Sequence, residues 1–316
     1  MNLTNSQLIL APMEGVLDHL MRELLTSINP FDLCITEFVR IVDSLLPERV
    51  FHRLSPELAK GGKTQSGVPI RIQLLGQDAN WLAENAVRAI ELGSNGIDLN
   101  FGCPAKTVNK NKGGAVLLKS PETIYQIVSN VKNSLERHQV VSVKIRLGFD
   151  STSLFSEIVD AVVQAGADLL TVHARTKTQG YRPPAYWKLI GQLPHHSKIK
   201  IVANGEIWNL TDVQNCIEQS NTSHLMIGRG VLALPNLGAV IKDGAKPMDW
   251  AELSVLFQKY CLLELQGENS FYFSSRLKQW LRYLKIQFPQ AEQLFSAIKT
   301  LKDKDDIVRQ IDYFTK

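Results

Sequence analysis

The sequence predicts a (β/α)8 barrel, the TIM barrel, followed by a small all-helical bundle. Eight short β-rich runs alternate with helix-patterned segments over about 240 residues, and beyond Gly244 only helix patterns remain. Most of the runs are continuously apolar rather than alternating, as strands covered on both faces must be. Eight repeats over this length match the usual barrel size. A doubly wound parallel sheet also alternates strands and helices, but it rarely repeats its unit eight times so regularly.

The strand-like runs cover residues 8–13, 32–38, 70–76, 96–102, 141–147, 169–175, 200–206 and 224–230. Between them, Leu82, Ala86, Ala89 and Ile90 share one helix face, with Gly93 as a stop. Ser120-Pro121 reads as a cap with proline at the first helical position, before a stripe of Ile124, Ile127, Val128 and Val131. Ile158, Ala161, Val162 and Ala165 repeat the scheme up to Gly166. A glycine-rich stretch at 60–67 reads as a loop. Then Asp249-Trp250-Ala251-Glu252 has the form of a capping box. Four apolar stripes follow: Leu253, Leu256, Phe257 and Tyr260; Leu277, Trp280, Leu281 and Leu284; Ala291, Leu294, Phe295, Ile298 and Leu301; Ile307, Ile311 and Phe314. The expected division is a barrel over 1–245 and a bundle over 246–316.

Composition narrows the function. At 316 residues, 44% hydrophobic and 21% charged, the chain is an ordinary globular one, with no apolar run of membrane-spanning length and no basic-then-apolar leader. Cys34, Cys103, Cys216 and Cys261 form no CxxC pair or His/Cys cluster, so neither a metal site nor a disulfide framework is expected, and free thiols suit the cytoplasm. A net charge of +4 permits a nucleic-acid partner only through a local basic surface.

Ligands of such barrels sit at the C-terminal strand ends. Those ends carry Pro12-Met13-Glu14, Glu37 with Arg40 beyond it, Gln73, Asn100 with Cys103, Lys144 with Arg146, His173, Asn204-Gly205-Glu206 and Gly228-Arg229-Gly230. The last two motifs suit a phosphate cradle, with backbone N–H groups exposed at glycines and Arg229 adding charge; tight turns with a solvated arginine would give the same letters. Lys144 and Arg146 share one strand face and need an anion, an electron-rich ring, or salt bridges to Glu14 or Glu206. His173 and Gln73 say little individually. Cys34, Cys216 and Cys261 fall in apolar patterns and read as core thiols. Cys103 opens a loop, residues 105–115, rich in lysine and glycine, that could close over a substrate.

Ile97-Asp98-Leu99-Asn100, Gly102-Cys103-Pro104, Val108 and Gly114-Ala115 together resemble the signature of the tRNA-dihydrouridine synthase family. Ala11-Pro12-Met13, Val143-Lys144-Ile145-Arg146, Val172-His173, Ala203-Asn204-Gly205 and Ile227-Gly228-Arg229 match in the family's order, over essentially the whole chain. The resemblance implies an FMN-bearing barrel that reduces the C5–C6 bond of a tRNA uridine, with NADPH (NADH possible) as reductant. It implies FMN held by Pro12, Met13, Glu14, Gln73, Lys144, His173, Asn204, Gly205, Glu206, Gly228 and Arg229. Hydride would pass to C6, and Cys103 would protonate C5 as general acid. Asn100 and Arg146 would hold the flipped uracil.

The runs at 35–40, 179–181 and 276–281 resemble the C-type bacterial members, which modify uridine 16 in the D-loop. That likeness implies tRNA contacts at Arg40, Tyr181, Arg276, Lys278, Tyr283 and Lys299. Helical geometry puts Arg276 and Tyr283 on one side of the Leu277–Trp280–Leu281–Leu284 stripe and Lys278, Arg282 and Lys285 on the other. Three positions depart from the C-type pattern: Phe101 for a cysteine, Lys112 for a small residue, and Lys299 for arginine, which loses bidentate phosphate geometry. A monomer is expected. Competing readings are the same chemistry at another D-loop position, a small-molecule flavin-barrel oxidoreductase, and a tRNA-binding protein that keeps the fold without the chemistry.

Overall fold

A computed structural model describes residues 6–194, 199–267 and 270–315. Eight parallel strands close into a barrel in sequence order, β8 pairing with β1. The first half runs β1 (Leu8–Leu10), α1 (His19–Thr26), β2 (Leu33–Arg40), α2 (Glu48–Leu54), β3 (Ile70–Leu75), α3 (Ala79–Glu91) and β4 (Ile97–Asn100). Next come α4 (Lys106–Lys110), α5 (Pro121–Ser134), β5 (Val141–Arg146), α6 (Phe155–Gln164), β6 (Leu169–His173) and α7 (Trp187–Gly191). The barrel ends with β7 (Lys200–Asn204), α8 (Leu210–Ser220), β8 (Leu225–Ile227), α9 (Arg229–Ala233) and α10 (Leu237–Lys242). Four helices follow: α11 (Trp250–Gln266), α12 (Phe273–Leu284), α13 (Pro289–Ile298) and α14 (Lys304–Phe314). No helix among the described residues is long and apolar enough to cross a membrane.

Strand parity sorts the side chains. Val141, Val143 and Ile145 point outward into the helix layer, while the alternate residues turn inward. The floor of the interior is apolar, formed by Ile9, Ala11, Leu33, Ile35, Leu169, Val202 and Met226. Toward the C-terminal ends it turns polar. Register sets Asn100 beside Lys144, Lys144 beside Thr171, and His173 between Arg146 and Asn204, all on the inner face.

Some local expectations need correcting. β1, β4, β6, β7 and β8 stop short of the apolar runs that predicted them, because the chain leaves the ladder for the mouth loops. β2 instead continues to Arg40, with a register shift between Ile35 and Phe38. Ser120 does not cap α5 through its side chain; its Oγ lies 2.8 Å from Thr123 Oγ1, leaving Pro121 to set the first turn. Asp249 and Glu252 do form a reciprocal capping box on α11.

The helical unit is seated on the barrel by a few strong contacts. Trp280 of α12 is buried, donates from Nε1 to the Leu232 carbonyl at 3.1 Å, and packs edge-on against Tyr260, centroids 4.9 Å apart. Arg276 Nη1 lies 2.5 Å from Asp18 Oδ2, an ion pair rather than an aligned hydrogen bond, joining α12 to the start of α1. Trp280→Ala should therefore lower unfolding free energy by about 3–5 kcal/mol, read by urea denaturation; a loss under about 1 kcal/mol would mean that Trp280 does not anchor the interface.

Candidate active site

A cavity of about 770 Å³ opens at the C-terminal end of the barrel. Its lining contains every residue expected to hold the cofactor: Pro12, Met13 and Glu14 after β1, Gln73 on β3, Lys144 on β5, His173 on β6, Asn204, Gly205 and Glu206 after β7, and Gly228 and Arg229 after β8. Asn100, Cys103, Arg146, Tyr181 and Tyr283 line it as well.

The cavity wall is strongly cationic. Lys144, Arg146 and Arg229 line it, Arg175 is buried behind it, and Glu206 is the carboxylate that pairs with Arg175 and Arg229. Glu206 Oε2 meets Arg175 Nη2, and it lies 3.4 Å from Arg229 Nη2. Arg229 is sandwiched between the rings of Tyr181 and Trp208, at 4.8 and 5.1 Å. The Lys144 ammonium forms no ion pair or hydrogen bond among the described residues, so salt bridges to Glu14 or Glu206 are not its solution. Burial, then the charge of Arg146, pushes its ammonium down to about 8. Burial first, and the surrounding cations after it, hold His173 well below the usual histidine range, leaving a neutral imidazole whose Nδ1 has no partner. A cavity with this charge calls for an anion or an electron-rich ring.

Arg146 is already engaged with the mouth loops. Its Nε donates to the Gly102 carbonyl at 2.8 Å, and Nη1 to Thr176 and Gly180 at 3.2 and 3.0 Å. Tyr181 lies over it at 5.3 Å and meets the His173 ring edge-on. Asn204 spends its amide on the Met226 carbonyl at 2.8 Å, tying β7 to β8. Arg175, Trp187 and Trp208 were not singled out from sequence. Trp187 donates to the Gly205 carbonyl at 2.9 Å, fixing the loop in which Gly205 adopts φ +109°. A Cβ on Gly205 would come within 3.1 Å of His173.

Cys103 is buried at the cavity edge against Leu75 and Val108. Burial raises its thiol above the ordinary range, so it carries a proton at neutral pH. Its segment is not a plain loop, since α4 and a 3-10 turn at Gly114–Lys119 fold over it. Its carbonyl accepts from Ala115 N–H at 3.1 Å and from Asn109 Nδ2 at 2.9 Å. Asn100 Oδ1 accepts from the N–H groups of Gly102 and Cys103, at 2.9 and 3.0 Å. The other three cysteines are core thiols, and burial pushes Cys34 and Cys216 up to about 12.

The model of the family described as dihydrouridine synthase (Dus) matches residues 9–316. The chain belongs to the dihydrouridine synthase family. It is 52% identical over 306 residues to the tRNA-dihydrouridine(16) synthase of Shewanella oneidensis, covering 97% of both chains. To the tRNA-dihydrouridine(16) synthase of Vibrio vulnificus it is 52% identical over 309 residues, 98% of this chain and 97% of that one. Among solved structures, DHODH from Eimeria tenella superposes with a TM-score of 0.56 at 12% identity, over 82% of this chain and 83% of that one, a likeness of fold alone.

The remaining expected residues of this dihydrouridine synthase family member are dispersed. Tyr283 reaches the main cavity from α12. Arg276 and Lys278 line a separate hollow of about 500 Å³ with Gly15, Tyr272 and Arg282. Both are engaged: Arg276 with Asp18 and, at 3.8 Å, Glu264, and Lys278 with the Leu301 carbonyl at 2.5 Å. Arg40 is exposed and shares a third hollow, about 310 Å³, with Lys110 and Lys112. Lys299 is exposed at the end of α13 and lines none of the three.

Gly114 sits at φ +65°, where a Cβ would fall 2.9 Å from the Cys103 carbonyl and from Val108 Cγ1. Gly114→Ala should cost about 1–3 kcal/mol of stability and displace Cys103. Thermal unfolding should register the loss, and maleimide labelling of Cys103 should speed up; unchanged labelling would show that the turn does not hold the thiol.

Proposed function

We propose that this protein reduces uridine to 5,6-dihydrouridine at position 16 of the tRNA D-loop, with bound FMN as the redox group and NADPH, or NADH, recharging it. The observation that carries the reading is one protonated thiol, Cys103, at the edge of a cationic cavity in which the Lys144 ammonium has no partner among the described residues. The residues suit FMN on three counts. The backbone N–H groups of Gly205, Glu206, Gly228 and Arg229 make no hydrogen bond among the described residues, and Arg229 stands beside them to meet a phosphate. Lys144 and His173 line the space the flavin ring would fill, and the unpartnered Lys144 ammonium suits the electron density of the reduced ring. A larger residue at position 205 would crowd His173.

Bound FMN supplies the two-electron reduction at C6 of the base. Cys103 supplies the proton at C5, and its burial keeps that proton on sulfur until the carbon becomes basic. The resulting thiolate lies in the field of Arg146 and Lys144, which both favour its charge. Lys144 keeps a cation at the ring, and Asn100 offers an N–H to a uracil carbonyl. Arg146 holds the Gly102 and Gly180 loops together, so its part is to shape the mouth as well as to meet the base. A base must leave its stack to enter, and Tyr181 and Tyr283 are aromatic surfaces that can receive it.

Recognition of tRNA is assigned to residues 246–316 with the barrel rim. Arg40, Lys110 and Lys112 offer a basic hollow for phosphate, Lys299 a more distant cation, and Arg276 and Lys278 form the floor of a hollow whose exposed cation is Arg282. The target position rests on the relatives' names and on Arg40, Tyr181, Arg276, Lys278 and Tyr283. The protein is taken to act as a monomer in the cytoplasm.

The direct test incubates unmodified tRNA transcript with NADPH and FMN-loaded protein and maps the dihydrouridine formed. Cys103→Ala should slow its formation on the order of 10²-fold or more while flavin reduction by NADPH stays within about twofold. Equal turnover would sink the donor assignment. Lys144 sets a pH dependence: its folded-state pKa of about 8 lies below the ordinary value, and a bound anionic group keeps it protonated. FMN affinity of the apo-protein should therefore fall as pH rises between about 7 and 9, and Lys144→Met should flatten that slope. A wild-type slope unchanged by the substitution would remove Lys144 from the cofactor site.

A further inference from the structure

Asp98 is wholly buried inside the barrel, one step below the mouth, and no part of the chemistry above uses it. Its Oδ1 accepts from Ser142 Oγ at 2.5 Å and its Oδ2 from Gln73 Nε2 at 2.6 Å. Gln73 Oε1 in turn accepts from Asn100 Nδ2 at 2.7 Å, and Asn100 Oδ1 accepts from the backbone N–H groups of Gly102 and Cys103. The polarity of this chain is forced from the backbone end. Backbone N–H groups only donate, so the Asn100 oxygen must face them and its NH₂ must face Gln73. That turns the Gln73 oxygen toward Asn100 and its NH₂ toward Asp98 Oδ2, which accepts from it. Without an acceptor at position 98 the buried Gln73 NH₂ loses its partner, and Gln73 gains by leaving the place from which its oxygen receives Asn100.

We propose that Asp98 is a positioning residue for the reaction: by holding the Gln73 amide in place it keeps an acceptor on Asn100 Nδ2, and so steadies Asn100 against the Gly102–Cys103 turn. Asn100 Oδ1 is then fully used by two backbone donors, and the amide has one N–H left to offer. Both amides line the cavity, so a base entering it meets a donor at Asn100 and binds there through a carbonyl oxygen. With Asp98 absent, Gln73 can rotate, Asn100 loses its acceptor partner, and the thiol is released from its set position. Misplacement of a reacting group by about 1 Å costs on the order of 10²-fold in rate.

The proposal rests on the reading of Cys103 as the proton donor in dihydrouridine formation, and the test separates the two. Asp98→Leu keeps the shape and removes the acceptor; Asp98→Asn keeps an acceptor for Gln73 while Ser142 turns its hydroxyl to accept. Holoenzyme of each is assayed for kcat and KM with tRNA, for FMN content and for the visible absorption of the bound flavin. Asp98→Leu should lose roughly 10- to 100-fold in kcat at nearly unchanged KM and shift the flavin band. Asp98→Asn should stay within about threefold of wild type with an unshifted band. If the leucine variant does not fold, Asp98→Val, which also removes the acceptor, is expected to show the same kcat loss. Wild-type kcat in the FMN-loaded leucine or valine variant would overturn the proposal, as would equal losses in Asp98→Leu and Asp98→Asn. Wild type that forms no dihydrouridine at all would instead overturn the reaction on which it rests.

Discussion

The structure depends on holding more positive than negative charge at the mouth of an apolar barrel. Burial of Lys144 beside Arg146, with Arg175 just beyond β6 and Arg229 just beyond β8, is unfavourable by itself, and the depressed Lys144 ammonium records this. Much of the mouth is arranged to contain that charge. Arg146 is spread over three loop carbonyls, Arg175 and Arg229 share Glu206, and Arg229 lies between two aromatic rings. Lys144 is left without a partner. A site built this way stores an unmet demand for negative charge or electron density, which a reduced flavin and its phosphate can meet.

The same arrangement suits Cys103 to the acid role proposed for it. Buried against Leu75 and Val108, the thiol keeps its proton at neutral pH, yet the cations close by ease its loss at the moment of transfer. Position matters as much as acidity. Asn109, Ala115, Asn100 and Gly114 all bear on the Cys103 main chain, so the donor sits on a turn defined from several directions. The helical unit adds Tyr283 to the same cavity, so the reacting centre and the surface assigned to tRNA meet in one place.

Much of this was legible in the sequence, for physical reasons. Strands covered on both faces must be continuously apolar, so the eight runs stood out, and inward-facing polar residues at their C-terminal ends had no packing reason to be there. The capping box on α11 and the shared face of Lys144 and Arg146 follow from local geometry alone. What stayed hidden depends on partners distant in sequence. Periodicity placed Arg276 and Lys278 on the flanks of a buried stripe, but nothing local announces that Asp18 and the Leu301 carbonyl will engage them. Arg175 looked like the tail of an apolar strand, and Asp98 looked like one polar letter in another. Their importance comes from Glu206 and Gln73, 31 and 25 residues away. The extra length of β2 depended on a register shift that the run of residues does not signal.

The central claim is that the cationic cavity and its single buried thiol serve one uridine of tRNA. The measurement that tests it most directly is a position-by-position map of dihydrouridine in tRNA from cells with and without this gene. The account predicts that dihydrouridine at position 16 disappears and that other positions are retained. An unchanged map at every position would contradict it.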